Sequence, residues 1–478
     1  MTNLLIILTD EHRRDTLACY GNSHVQMPQL NRLAQQACVF MNAHCVDPVC
    51  TPSRGSLLTG LYPHAHGAVD LNVPLASDAR CLPELCQPAT YAPGCVAYHG
   101  KWHLGDELYA QHGYDTFVSI EDKYQAHASA GRNAADRSDY HRFLHRRGFV
   151  PDERDLFTRE FAARLPERYS KPRFLADRAC RFIRQHRDRP WHLTVSMLEP
   201  HPPFFSCRND QYDPAATPMF PNFDHVPDRD PASAPLPTMV RQRLEQYRAK
   251  GYGGLDLQSD DAWRRLTARY LGLCSLVDTH IGRILHTLED CGLADRTVVV
   301  FTSDHGEMMG SHRLLQKRLL YREATAVPLL VRLPGQGRQV QVDGPVSHID
   351  LLPTLLALIG QPVADHLHGR SLAPLLRQAV DEHQPAVDVS GECSECVVVQ
   401  HQGSRSIISA DGWRYSNYLD GSGPELYNHH DDPGERRNLA LDRSCADRLA
   451  SLHERLRRWQ RRTGDTATLA EPLGSVTK

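Results

Sequence analysis

The sequence has no apolar run near the length of a membrane span, no surplus of either charge, no internal repeat and no low-complexity tract. The first absence excludes a transmembrane helix, which needs roughly 20 consecutive apolar residues. Its opening, Met1-Thr2-Asn3-Leu4-Leu5-Ile6-Ile7-Leu8, has too short an apolar stretch for a signal segment and lacks a basic flank and a small-residue cleavage site. It reads instead as a strand that begins at once, and the expected location is the cytoplasm, or the periplasm or exterior if a leader has been trimmed. Charge is balanced: 54 Lys and Arg against 57 Asp and Glu give a formal −3. No overall field therefore favours nucleic acid or an anionic membrane surface, and any anion site must be local. Framework cysteine spacing is absent too: 14 cysteines scattered through 478 residues read as reduced, mostly buried thiols. The lone CxxC, Cys393 and Cys396, lacks two further ligands for a structural zinc and reads as a loop bearing two thiols.

A chain of this length with 41% hydrophobic residues can bury a large core, one large domain with a smaller companion. Short β-rich apolar runs stop abruptly at polar residues, with helical patterns between them, as in an α/β domain with a buried sheet. Leu4 to Leu8 ends at Thr9-Asp10-Glu11, Cys95 to Tyr98 at Gly100-Lys101-Trp102-His103, His192 to Leu198 at Glu199-Pro200-His201, and Val298 to Phe301 at Ser303-Asp304-His305. Ligands of open α/β sheets bind beyond the carboxyl ends of strands, so these four ends are expected to share one site. Helices are expected from Pro28 through Ala37, over Leu266 to Leu288, and over Leu351 to Ile359. Cys207 to Met239, dense in Pro and Asp, reads as a long surface loop placed to wall the site after His201. A break at 376–392 divides a domain of 1–380 from a tail of 381–478. In the tail, Val397 to Gln400, Ser406 to Ser409 and Trp413 to Tyr418 read as antiparallel strands. Arg448 to Arg461 reads as a packing helix with a solvated basic face.

The stretch richest in chemistry is Cys50-Thr51-Pro52-Ser53-Arg54-Gly55-Ser56-Leu57-Leu58-Thr59-Gly60. A cysteine at the start of a helix-like run is favoured as thiolate, and an arginine one turn later can hold an anion. The whole string resembles the sulfatase signature C-x-P-S-R followed by L-L-T-G. Further segments resemble the same family in order: Thr9-Asp10-Glu11, Gly100-Lys101-Trp102-His103-Leu104-Gly105, His201-Pro202-Pro203-Phe204, and Ser303 through Gly310 with Lys317 beyond. The series continues with Ser347 through Thr354 and Glu425-Leu426-Tyr427-Asn428, so the resemblance spans nearly the whole chain.

The resemblance implies an alkaline phosphatase-like α/β sandwich, with a central mostly parallel or mixed sheet flanked by helices. A small C-terminal α+β subdomain would carry an antiparallel sheet and a terminal helix. It also implies oxidation of Cys50 to formylglycine by a formylglycine-generating enzyme. One hydroxyl of the aldehyde hydrate attacks sulfur and the alcohol leaves. The second hydroxyl then loses its proton as the adduct collapses to sulfate and aldehyde, a route closed to a plain serine or cysteine. A divalent cation is implied, with Asp10, Glu11, Asp304, His305 and the oxidised Cys50 as ligands. Calcium is the expected ion, and the imidazole leaves manganese, zinc or magnesium open. Arg54 matches the residue that steadies the hydrate, Lys101 and Lys317 those that bind sulfate oxygens, His103 the group that assists the hydrate, and His201 the proton donor to the leaving oxygen. Asn72 lies where relatives often carry an asparagine near the pocket, with a turn residue as the alternative. His312 and His348 stay outside the catalytic set.

The expected reaction is hydrolysis of a sulfate ester, a carbohydrate sulfate above other organic sulfates, by an enzyme for which oligomer formation is left open. The nearest rival is a phosphonate monoester or phosphodiester hydrolase of the same superfamily. Those relatives tend to carry hydroxyl side chains at the positions of Lys101 and His103. A silent anion- or glycan-binding homologue is the rival from another class, and the full set of polar groups argues against it.

Overall fold

A computed structural model describes residues 2–88, 90–227, 236–390 and 396–471. Nine strands form the large sheet: β1 (Asn3–Asp10), β2 (Cys38–His44), β3 (Val96–Gly100), β4 (Thr116–Val118), β5 (His192–Pro200), β6 (Thr297–Ser303), β7 (Leu329–Arg332), β8 (Val340–Ser347) and β9 (Ala386–Asp388). Their order is β4-β3-β5-β1-β6-β7-β2-β8-β9, and β7 alone runs against its neighbours. Period-two alternation sends successive side chains to opposite faces, and here both faces are apolar. On β1, Leu5 and Ile7 join one core with Val299 and Phe301 of β6, while Leu4, Ile6 and Leu8 join the other with Val298 and Val300. Helices Lys171–Gln185 and Asp260–Asp290 cover the first face, and Leu351–Leu358 and Ala373–Asp381 cover the second. Among the described residues, no helix is long and apolar enough to cross a membrane.

Register gathers the chemistry. Thr9 pairs with Ser303, Asp10 with Pro200 and Gly100 with Ser196, so the carboxyl ends of four parallel strands finish at one level. Asp10, Lys101, His201 and Asp304 each end a strand or directly follow one, as the abrupt polar stops in the sequence imply.

The C-terminal sheet is antiparallel in the order β10 (Cys396–His401), β11 (Ser404–Ser409), β12 (Trp413–Asn417), β13 (Glu425–Asn428). The helix Ala446–Thr463 lays Leu449, Leu452, Leu456 and Trp459 against Val398, Ile407, Tyr415 and Leu426, as a packing helix should. Val46, Tyr62 and Ile349 of the larger part belong to the same core, and Gln400 donates its N–H to the carbonyl of Val46 at 2.7 Å.

Several elements differ from the sequence expectation. The break at 376–392 holds the end of helix Ala373–Asp381 and the edge strand β9, and the chain changes sheet between Asp388 and Cys396. The loop after Cys207 ends at helix Thr238–Lys250, and β2, β4, β7, β8, β9 and β13 carried no strong sequence signal. None of the described cysteines is paired in a disulfide; Cys393 of the CxxC lies outside the described residues.

Gly100 illustrates how closely the strand ends are packed. It has φ +120°, and a Cβ there would sit 1.8 Å from the carbonyl oxygen of Ser196, a backbone atom that cannot move aside. Gly100→Ala is expected to cost about 2–4 kcal/mol in denaturant unfolding. Gly21→Ala, also at positive φ but with nothing within 4 Å, is expected to cost about 1 kcal/mol.

Candidate active site

Cys50 opens the helix Cys50–Thr59, every residue of which is buried. No side chain caps this helix and no acid lies in its first turn, so its N-terminal dipole is left for whatever faces it. Cys50 Sγ lies 3.1 Å from Lys317 Nζ, 3.3 Å from His305 Nε2 and 3.6 Å from Asp10 Oδ1. Burial and the Asp10 carboxylate push the thiol up, Lys101, Lys317 and His305 push it down, and the outcome lies below the ordinary thiol range.

One turn on, Arg54 is wholly buried and bridges the two central strands. Its Nη2 holds Asp10 Oδ2 at 2.8 Å and its Nε holds Asp304 Oδ2 at 2.9 Å. Its Nη1 donates to the Lys101 carbonyl and to Ser196 Oγ, both at 2.8 Å. Ser53 Oγ donates to the Asp304 carbonyl, which fastens the same turn to the end of β6. Asp10 also accepts from Lys101 Nζ at 2.5 Å. Burial raises the Asp10 carboxyl, but Lys101, His201, Arg54 and Lys317 outweigh it and hold it well below its usual range.

Glu11 sits at φ 64°, which turns its carboxylate back into the cluster. Its Oε2 accepts from Lys317 Nζ at 2.9 Å, and its N–H donates to Asp304 Oδ1 at 3.1 Å. Behind it, Glu307 is raised well above its usual value by burial and by the adjacent Glu11. Glu307 Oε1 takes N–H groups from Met309 at 2.9 Å and Gln316 at 2.5 Å. His305 donates Nδ1–H to the Gly306 carbonyl at 2.9 Å and turns Nε2 toward Cys50; burial lowers the ring, but Asp304 and Cys50 outweigh it and push it up to about 9, and in the neutral ring that a cation would bind the lone pair is on Nε2.

The donor set fits a divalent cation. Ligand atoms of Asp10, Cys50, Asp304 and His305 lie within 4.8 Å of one another, and those of Asp10, Glu11 and His201 form a second such group. Carboxylate oxygens with one imidazole nitrogen of fixed tautomer suit a hard or borderline ion.

His103 stands on the other side at φ 61°. Glu107 fixes this turn by accepting the N–H groups of Trp102 at 3.0 Å and His103 at 2.6 Å. The ring is neutral: burial first, then Lys101 and Arg54, hold it well below the usual imidazole range. Its Nε2–H meets Asn72 Oδ1 at 2.8 Å, leaving a buried Nδ1 with no protein partner. Asn72, at φ 63°, is held by its own N–H to Thr51 Oγ1 at 3.1 Å, so it serves both as a turn residue and as a contact of His103. Tyr124 stacks on His103 with ring centroids 3.9 Å apart. His201 donates Nδ1–H to the Pro202 carbonyl at 2.8 Å and presents Nε2 toward Glu11 Oε2 at 3.7 Å.

All the residues singled out in the sequence thus meet in one place, with Asp10, Glu11 and Asp304 balanced against Arg54, Lys101 and Lys317. His312 and His348 stand apart: His312 bonds His225 at 2.7 Å and His348 bonds Thr302 at 3.2 Å. Glu107, Tyr124, Ser196 and Glu307 were missed. Tyr124 and Ser196 act through contacts between segments remote in sequence, Glu107 and Glu307 by binding backbone N–H groups of nearby turns, and a lone Ser, Tyr or Glu carries no local signal. No described residue of the loop expected to wall the site, Cys207 to Met239, lines the adjoining cavity; the wall after His201 is Pro202 to Phe205, and His225 of the loop packs on His312 instead.

Comparison with known proteins agrees with this geometry. A family profile described as Sulfatase matches residues 2–361, and one described as N-sulphoglucosamine sulphohydrolase, C-terminal, matches 310–462. The chain is 29% identical over 465 residues to an uncharacterized sulfatase, YidJ, of Escherichia coli, covering 95% of this chain and 86% of the relative. It is 25% identical to an N-acetylglucosamine-6-O-sulfatase of Bacteroides thetaiotaomicron, covering 97% and 87%. It is 26% identical to a multifunctional alkaline phosphatase superfamily protein, PehA, of Trinickia caryophylli, covering 100% and 99%. Among solved structures, a phosphonate monoester hydrolase of Silicibacter pomeroyi superposes with a TM-score of 0.79 at 24% identity, covering 98% of this chain and 96% of that one. A protein in complex with its substrate D-glucosamine-2-N,6-O-disulfate superposes with a TM-score of 0.75 at 22% identity, covering 97% and 98%. The chain belongs to the sulfatase family of the alkaline phosphatase-like superfamily and is a sulfuric ester hydrolase.

Proposed function

We propose that the enzyme hydrolyses a sulfated saccharide, using formylglycine made from Cys50 and a divalent cation held by Asp10, Glu11, Asp304 and His305. The observation that carries this reading is the setting of Cys50, at an uncapped helix N-terminus and within hydrogen-bonding range of Lys317 and His305. Oxidised and hydrated, that side chain would supply the attacking oxygen, and the cation would withdraw charge from the sulfate.

The chain's own residues divide the remaining work. Lys101 and Lys317 offer ammonium groups from two sides to the nonbridging sulfate oxygens, where negative charge grows as the ester bond breaks. Arg54 fixes the relative positions of Asp10 and Asp304, and so the width of the cation site. His103, neutral and with Nδ1 unpartnered, is suited to take a proton from the hydrate. His201 has its Nδ1–H committed to the Pro202 carbonyl, and burial, then Lys317, hold its ring well below the usual imidazole range, so the proton for the leaving alcohol must first be taken up at Nε2.

The saccharide substrate rests on the relatives: one is named an N-acetylglucosamine-6-O-sulfatase, and one structural neighbour binds a glucosamine disulfate. A phosphonate monoester hydrolase reading is favoured by one observation, the 0.79 TM-score to such an enzyme. Lys101 and His103 weigh against it.

Purified enzyme assayed on 4-nitrophenyl sulfate and on a 4-nitrophenyl phosphonate monoester is expected to show kcat/KM about 100-fold higher for the sulfate, abolished by chelation. A preference for the phosphonate would overturn the reading. His201→Gln is expected to lower kcat/KM for a sugar sulfate by roughly 100-fold or more, and for 4-nitrophenyl sulfate by under about 10-fold, since nitrophenolate departs without a proton. Equal losses on both would remove His201 from the role of proton donor.

A further inference from the structure

A cavity of about 920 Å³ adjoins the catalytic cluster and shares His201 as a wall. On the sulfatase reading, His201 marks the side from which the alcohol departs, so this cavity begins where the rest of the substrate must lie. Its apolar lining includes Phe157, Phe204, Phe205 and Tyr252, enough to face a ring.

Its charged lining is uneven. Arg159 is nearly enclosed, its Nε held by Glu121 Oε2 at 2.7 Å and its Nη2 by Tyr124 Oη at 2.6 Å. Tyr124, which it bonds, stacks on His103, and Arg159 lines the cavity together with His201, so this charge stands beside both catalytic histidines. Glu121 is bound by Lys171 as well, so two cations share one buried carboxylate. Asp122, another lining carboxylate, is taken up by the N–H and hydroxyl of Ser138. Glu153 and Glu160 are exposed to water at the rim. Arg154 lines the cavity from a loop and Arg269 from the helix Asp260–Asp290. Neither has a hydrogen bond or ion pair among the described residues. Cations without a protein counter-ion, focused in a concave, partly apolar site, attract an anion.

We infer that the leaving alcohol itself bears an anionic group, a carboxylate or a second sulfate, received by Arg159 and Arg269 with Arg154 at the mouth. The substrate class is then a polyanionic saccharide sulfate rather than a neutral sugar monosulfate. This rests on sulfate-ester hydrolysis at Cys50 and adds the identity of the leaving group.

The test uses Cys50→Ser protein loaded with its cation, so that ligands bind without turnover. Calorimetry compares 4-nitrophenyl sulfate with two analogues, one carrying a ring carboxylate and one a ring sulfonate. At least one analogue is expected to bind about 10-fold more tightly than the parent, and the arm that does so identifies the anion. That gap should shrink to under about 3-fold in Arg269→Gln and in Arg159→Gln. Arg159 is tied to buried Glu121, so the double variant Arg154→Gln/Arg269→Gln, which breaks no ion pair, repeats the test without that risk. Equal binding of all three compounds, no binding of any, or a gap unchanged in the double variant overturns the inference. Turnover of plain 4-nitrophenyl sulfate by the wild type is read separately. Turnover with no binding gap defeats the leaving-group inference alone, whereas its absence defeats sulfate hydrolysis whatever the gap.

Discussion

The buried guanidinium of Arg54 is the interaction on which the site depends. Fully removed from water, it joins the carboxylates at the ends of β1 and β6 to the carbonyl of Lys101 after β3 and the hydroxyl of Ser196 on β5. Four strands are thereby locked at one level by a single side chain, which itself belongs to the helix that presents Cys50. Taking such a charge out of water costs several kcal/mol, offset here by two carboxylates and by hydrogen bonds from all three nitrogens. Loss of one partner from a buried pair of this kind typically costs about 3–5 kcal/mol. Lysine could supply the charge but not the fork that spans two carboxylates.

Around that fixed point the backbone is strained where the chemistry is. Glu11, Asn72 and His103 all occupy the left-handed region with side chains bulkier than glycine. Each such residue costs on the order of 1–3 kcal/mol, sustained here by tight bonds: Glu11 N–H to Asp304, Asn72 N–H to Thr51, His103 N–H to Glu107. Burial does the electrostatic work. Carboxylates of Asp10, Glu11 and Asp304 lie beside Arg54, Lys101 and Lys317 out of water, where unit charges act on one another far more strongly than at a surface.

Much of this was legible in the sequence. Abrupt ends of apolar runs at Asp10, Lys101, His201 and Asp304 gave both the strands and their shared level, because in a parallel sheet every strand delivers its carboxyl end to the same edge. The Cys50 signature and the resemblance it carries gave the helix and the residues gathered at its start. What escaped was set by tertiary context. β7, four residues long and running against its neighbours, and β9, three residues at an edge, are too short to show a period. The greater part of helix Ala373–Asp381 lay in what reads as a break from 376, because its apolar face is only about two turns long. Glu107, Tyr124 and Arg159 come from segment 106–173, where no pattern distinguishes a site residue from a surface one. Their placement depends on how that segment folds back over His103.

Cys50 is central only if it is no longer a cysteine in the working enzyme, since an intact thiol lacks the second hydroxyl needed to release sulfate. Mass spectrometry of the peptide containing Cys50, taken from catalytically active protein, tests this most directly. The account predicts loss of the sulfur and its replacement by an aldehyde oxygen. An intact thiol at Cys50 throughout a sample of full activity would contradict it.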